Sequence, residues 1–267
     1  MFGIDRYAYT NRLRKVHPAE KLALALVAIF ACSVSVGRLP SLLVIFLMAG
    51  LAVLRAGIPL LFYLRLLGVP GSFLAAGVLT VAVSFSREAD LFLWGFKIGD
   101  YALGITPAGL HTAVNLFCKS LGAVSCLYFL SLTTPAVEMI AVLKKLRLPP
   151  LFIELMSLVY RFVFVLFETA GKIYVAQSSR WGYATAKTAY FSLGQLVSNL
   201  FTKSYGQSRM LFTALSARCY TGELNVLPEE YPLSVKNFIL IAVVGLVLLA
   251  AGMGPEKGTF LGGGGKR

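Results

Sequence analysis

The sequence predicts an all-α, polytopic membrane protein of about five transmembrane helices, with long cytoplasmic coupling helices between the fourth and the fifth. Two observations carry this. Of 267 residues, 57% are hydrophobic and only 14% charged, against about half and about a quarter in a soluble domain. The apolar residues also come in runs near the roughly 17–25 residues that a spanning helix needs.

The expected spans cover residues 22–36, 41–54, 66–85, 108–132 and 238–253. Gly37-Arg38-Leu39-Pro40 is turn-forming, so the first two spans form a hairpin. Residues 55–65 are mixed in character and fit the membrane interface, and the third span tolerates Gly68, Pro70 and Gly71 as membrane helices do. A loop with Glu88, Asp90 and Asp100, the bases Arg87 and Lys97, and Trp94 leads to the fourth span. After the fifth span, Gly262 to Gly265 with Lys266-Arg267 is too glycine-rich to fold alone. Three segments follow: 1–134 with the N-terminal segment and four spans, 135–237 as a cytoplasmic or interfacial coupling domain, and 238–267 with the last span and tail.

The net charge of +13 is a matter of orientation. Between residues 135 and 237 there are eleven Lys and Arg, and four more lie in the first twenty residues. Five spans put both segments on the cytoplasmic side and the acidic loop outside. No basic tail or nucleic-acid-binding fold accompanies the charge, so no nucleic-acid partner is expected. Cys32, Cys118, Cys126 and Cys219 are scattered without a C-x-x-C pair and read as small core residues. The N-terminus lacks the pattern of a cleaved signal peptide.

The segment after the fourth span is too apolar for a soluble loop and too charged for clean spans. Thr133-Thr134-Pro135 reads as a helix start with a hydroxyl cap and Pro at the first position. Lys144, Lys145 and Arg147 suit that helix's C-terminus, and Pro149-Pro150 breaks the chain. A helix over 151–181 carries Glu154, Arg161 and Glu168 along one face, with Lys172 four residues beyond Glu168. The basic bias favours its lying inclined or along the interface. A further helix covers 188–219, with Leu193, Leu196, Val197, Leu200 and Phe201 at helical spacing.

Both long helices end in a similar phrase, Ser178-Ser179-Arg180-Trp181-Gly182 and Ser216-Ala217-Arg218-Cys219-Tyr220. One reading is a plain C-terminus, stopped with help from Gly182 or Gly222. The other is a pair of docking ends whose guanidinium groups fork onto a partner's oxygens.

Several long phrases resemble the CbiQ family, the transmembrane (T) subunits of cobalt energy-coupling-factor (ECF) transporters: Gly3 to Tyr9, Arg12 to Lys21, Phe117 to Leu130, Leu132 to Pro135, and Phe152 to Leu155. The resemblance implies a non-catalytic subunit of an ECF-type ABC importer in a bacterial or archaeal cytoplasmic membrane. Its implied partners are two CbiO-like ATPase subunits, a CbiM-like metal-binding membrane subunit and a small CbiN-like accessory subunit. It also implies that two arginine-centred motifs touch the ATPases, which map here onto Ser179, Arg180 and Trp181 and onto Ala217, Arg218 and Cys219. Neither has the Ala-Arg-Gly form common in related T subunits.

Independently, the chain has no phosphate loop, since neither Gly171-Lys172 nor Gly265-Lys266 precedes Ser or Thr. No cofactor is therefore expected in this chain, and ATP and Mg belong to the partners. His17 and His111 lack neighbours at ligand spacing, so no metal site is expected. Asp5-Arg6 and Glu20-Lys21 read as surface pairs, each worth under about 1 kcal/mol. Lys119, inside the fourth span, is expected to face protein or water.

Competing classes fare worse. A lipid-phosphate enzyme would want clustered carboxylates, yet Glu88/Asp90 and Glu229/Glu230 lie in loops without a D-D-x-x-D pattern. A secondary transporter would show repeated halves. A nickel or vitamin T subunit stays open, because cargo choice would belong to another subunit.

Overall fold

The computed structural model describes residues 3–35, 37–86, 94–98, 101–105, 107–146, 148–220 and 234–252. Glu88, Asp90, Asp100, Arg147, Gly222, Glu229, Glu230 and the glycine-rich tail lie outside the described residues. The chain divides into two units, one of Phe2–Pro135 with Glu230–Arg267 and one of Ala136–Glu229.

The first unit is helical and built around one helix. Short α1 (Gly3–Thr10) is followed by a 3-10 turn at Arg12–Lys15. Then come α2 (Pro18–Val34), α3 (Arg38–Gly50), α4 (Leu60–Ala82) and α5 (Pro107–Thr133). α5 packs against α1, α2, α3 and α4. With lipid as apolar as leucine, such helices associate through small residues that let backbones approach. Ala28, Ala31 and Cys32 of α2 meet Val44 and Met48 of α3 and Cys126 and Phe129 of α5 in one buried cluster. Gly122 is required here, because an added Cβ would stand 2.9 Å from Cys32 Sγ.

α3 runs on into a widened π turn, Leu51–Arg55. The stretch expected at the interface is mostly the start of α4, which begins at Leu60. Between α4 and α5, where a loop was expected, the chain forms a small antiparallel sheet of β1 (Val83–Ser86), β2 (Trp94–Ile98) and β3 (Tyr101–Ile105) with β3 central. β1 and β2 both pair with β3, opposing Val83 and Trp94 to Ile105.

The second unit holds α6 (Ala136–Lys145), α7 (Pro150–Ser178) and α8 (Ala186–Ser216), with α7 packed on both others. The expected hydroxyl cap on α6 is not formed. Thr133 belongs to α5 and its Oγ1 donates to Phe129 O at 2.7 Å, while Thr134 Oγ1 is buried without a partner. α9 (Val235–Gly252) belongs to the first unit and packs on α2 and α3.

Five helical stretches are long and apolar enough to cross a membrane: Arg38–Arg55, Leu60–Val81, Gly109–Thr133, Pro150–Ser178 and Val235–Gly252. Four coincide with expected spans. The fifth is α7, expected along the interface, whereas the expected first span folds as α2, a helix of only 17 residues. The chain is a multi-pass membrane protein.

Two sequence readings are corrected. Glu20 and Lys21 are not a surface pair, for both are buried at about 3% exposure. The Glu20 carboxylate accepts from the Ser234 backbone N–H at 2.9 Å and from Asn237 Nδ2 at 2.7 Å, tying α2 to the start of α9. Lys21 Nζ donates to Thr133 O at 2.9 Å, joined there by Asn11 Nδ2 at 3.2 Å. A cation and an amide thus satisfy carbonyls at the negative end of α5. Secondly, Cys32 and Cys126 are core residues but Cys219 is exposed. Lys119 donates to Ser33 O at 3.4 Å, so this cation meets protein, as expected.

Candidate functional site: two matched arginine ends

α7 and α8 end in the same backbone turn. In α7, Ser179 N–H bonds Val175 O, Arg180 N–H bonds Gln177 O, Trp181 N–H bonds Ser178 O and Gly182 N–H reaches back to Gln177 O. In α8 the set repeats residue for residue: Ala217 to Thr213, Arg218 to Leu215, Cys219 to Ser216 and Tyr220 to Leu215. This is the Schellman termination, in which paired bonds satisfy the last free carbonyls around one left-handed residue. That residue is Trp181 (φ 59°) in one copy and Cys219 (φ 55°) in the other. Glycine was expected to end the helices, yet the left-handed position is filled by side chains that pay about 1–2 kcal/mol to be there.

Gly182 serves close approach instead, since a Cβ on it would sit 2.7 Å from Ser192 Oγ and 2.9 Å from Gln177 O. Each arginine immediately precedes the left-handed residue, and both are exposed, as is Trp181 at 80%. Ser179 and Ala217 differ in what they offer: Ser179 Oγ is spent on Val175 O at 2.9 Å, and Ala217 has no polar group. The common content of the two sites is the arginine and the turn that displays it.

The two helices form a hairpin closed at both ends. At the turn between them, Thr185 caps α8 in a reciprocal box with Thr188, and Tyr174 packs on Tyr183 with ring centroids 4.7 Å apart and ring planes tilted by 39°. At the far end, Tyr220 OH donates to the Glu154 carboxylate near the start of α7. That bond pushes the Tyr220 phenol above its ordinary range. α8 has 31 residues, so the arginines stand at opposite ends of a body roughly 45 Å long.

A small cavity of about 390 Å³ beside the first end is lined by Arg180, Trp181, Lys187 and Phe191 among others. Along α7, Lys172 and Glu168 form the expected exposed pair at 2.7 Å. Sequence reasoning missed Gln177, Ser192 and the Tyr220–Glu154 bond. Tyr220 and Glu154 stood inside quoted phrases, but nothing in their spacing said that they meet. Among the described residues, no group of three His, Cys, Asp or Glu side chains gathers as metal ligands.

The described residues thus form a multi-pass helical protein whose charged hairpin displays an exposed arginine at each of its two matched ends. The chain belongs to the CbiQ family, cobalt transport proteins, whose family model matches residues 10–228. It is 35% identical to the cobalt transport protein CbiQ of Salmonella typhimurium over 85% of this chain and 100% of that one. It is 32% identical to a putative fused cobalt transport protein CbiMQ of Methanocorpusculum labreanum over 94% of this chain and 42% of the fusion. At 26% identity, 82% of this chain and 84% of the relative align with the energy-coupling factor transporter transmembrane protein EcfT of Ruminiclostridium cellulolyticum.

Proposed function

We propose that the chain is the transmembrane coupling subunit of an ECF-type importer for cobalt ions. It passes the motion of two ATP-hydrolysing subunits to a separate metal-binding membrane subunit. The observation that carries the proposal is the pair of matched arginine ends, because one guanidinium at each end of a rigid hairpin suits a partner with two equivalent receptor sites. ATP and Mg are held by those partners. The relative fused to a second cobalt transport component supports a membrane partner, and the EcfT relative supports the coupling role. Cobalt as cargo rests on the relatives' names.

With α2, whose 17 residues reach the lower limit of span length, as the first of four crossings before it, the hairpin faces the cytoplasm together with the N-terminus, on the side the basic excess favours. Although α7 is apolar enough to cross, α8 returns antiparallel along it and carries Lys187, Lys203 and Arg209. If α7 crossed, α8 would bring these cations into the bilayer at roughly 2.5–3.5 kcal/mol each for central positions. The hairpin therefore lies along the membrane, with Arg161, Glu168 and Lys172 in water.

The test is co-purification and uptake. In Arg180→Ala with Arg218→Ala, the chain stays in the membrane, the ATPase subunits are lost under mild detergent and ATP-driven metal uptake disappears. Normal uptake in the double variant would refute the docking role.

A further inference from the structure

The two ends of the hairpin are braced reciprocally. The end of α7 is tied to α8: Gln177 Nε2 donates to Ser192 O at 2.9 Å, Ser192 Oγ donates to Gly182 O at 2.8 Å, and Tyr183 OH donates to Gln177 Oε1 at 2.8 Å. The end of α8 is tied to α7 through Tyr220 and Glu154. Each arginine's turn is thus fixed to the second turn of the opposite helix. We infer that Gln177 with Ser192, and Tyr220 with Glu154, are positioning residues that hold Arg180 and Arg218 at one separation, so that both ends move as one body.

The physical need is specific. Helix ends are the first parts of a helix to open. A partner pushing on a frayed end would unwind the last turn rather than move the helix. A Schellman turn closes the carbonyls of its own helix but fixes nothing to a neighbour. The cross-ties supply the missing constraint.

They differ in kind. The first is a network of neutral bonds around one amide, whose Oε1, Nε2 and main-chain oxygen are all used. The second is a single phenol on a carboxylate, a charge-assisted bond stronger than a neutral one but open to water. The two arginines, alike in backbone, are therefore anchored with different firmness.

This inference rests on the docking reading above, and the test separates the two. In the complete transporter reconstituted in liposomes, ATP hydrolysis and metal uptake are measured together, with the chain's amount in the membrane and the retained ATPase subunits as controls. Tyr220→Phe, Glu154→Leu and Gln177→Leu are each expected to keep the ATPase subunits and their hydrolysis while metal moved per ATP falls at least about fivefold. Glu154→Gln keeps a carbonyl acceptor for the Tyr220 hydroxyl and restores most of the ratio, which a merely structural role of the site would not predict.

Ratios within about twofold of the parent in all three variants would overturn the bracing while leaving the docking intact. A fall in uptake that only tracks a fall in protein amount would overturn it too. If Arg180→Ala with Arg218→Ala retains both partners and uptake, the docking reading fails, and the bracing with it.

Discussion

Glu20→Ala removes the buried acceptor that ties α2 to the start of α9. As a surface pair with Lys21, Glu20 would contribute under about 1 kcal/mol. In the structure its two carboxylate oxygens accept from Ser234 N–H at 2.9 Å and Asn237 Nδ2 at 2.7 Å, and the residue is 3% exposed. Hydrogen bonds to a charged group are worth about 1.5–3 kcal/mol each, and deleting the acceptor leaves both donors without it. Glu20→Ala should therefore cost about 3 kcal/mol or more. Glu20→Gln keeps one acceptor and should cost about half as much.

The site joins α2 to the start of α9, so the loss should appear as early release of the last helix. The assay is denaturant unfolding of the protein in mild detergent, with protease cleavage near the exposed Lys236 as a local readout. A cost under about 1 kcal/mol for Glu20→Ala, with Lys236 as protected as in the parent, would refute the buried tie and restore the surface reading.

Three further outcomes follow from other contacts. Gly122→Ala places a Cβ 2.9 Å from Cys32 Sγ and should destabilise by about 1–3 kcal/mol through overpacking, whereas adding Cys32→Ala removes the obstructing sulfur and should recover most of the loss. Additive losses in a thermal unfolding series would count against that contact. The Tyr220 phenol is raised by its bond to Glu154, so the tie is fully present below the ordinary tyrosine range and is lost as pH rises through the raised value. A spectrophotometric titration should lose one late-ionising tyrosine in Tyr220→Phe, and a titration with the late-ionising fraction unchanged would contradict the bond. Trp181→Gly relieves a left-handed side chain worth about 1–2 kcal/mol and returns part of that as unfolded-chain entropy. Stability should hold or rise slightly in a melting curve, and a clear drop would mean that the ring packs in a way its exposure denies.

Much of the membrane architecture was legible because lipid as solvent leaves a coarse mark. Runs of apolar residues located α3, α4, α5 and α9, and the double proline before Leu151 located the start of α7. What stayed hidden depended on partners distant in the chain. Glu20 and Lys21 look alike whether they meet water or, as here, Asn237 and Thr133, because charge alone does not announce burial. The sheet of β1, β2 and β3 was hidden by intervening charged residues that read as a loop. α2 has 17 residues, at the lower limit of span length, and α7 has 29, so length alone does not tell which of the two crosses. At the candidate site the arginines were visible as a repeated phrase, but the Gln177–Ser192 and Tyr220–Glu154 ties cross between helices and leave no periodic signal.

The matched ends also explain why an arginine stands where it does. In a Schellman turn the residue before the left-handed position is the last whose direction is still set by the helix. A side chain there leaves the helix end at a fixed angle while its N–H is already satisfied, Arg180 by Gln177 O and Arg218 by Leu215 O. One position earlier, the group would project from the helix wall. One position later, its direction would follow the reversed backbone. Glycine after the arginine would build the same turn without strain, yet this chain uses Trp181 and Cys219, one large and one small. The backbone and the arginine are thus common to both helix ends, and the left-handed side chain is where the two ends differ.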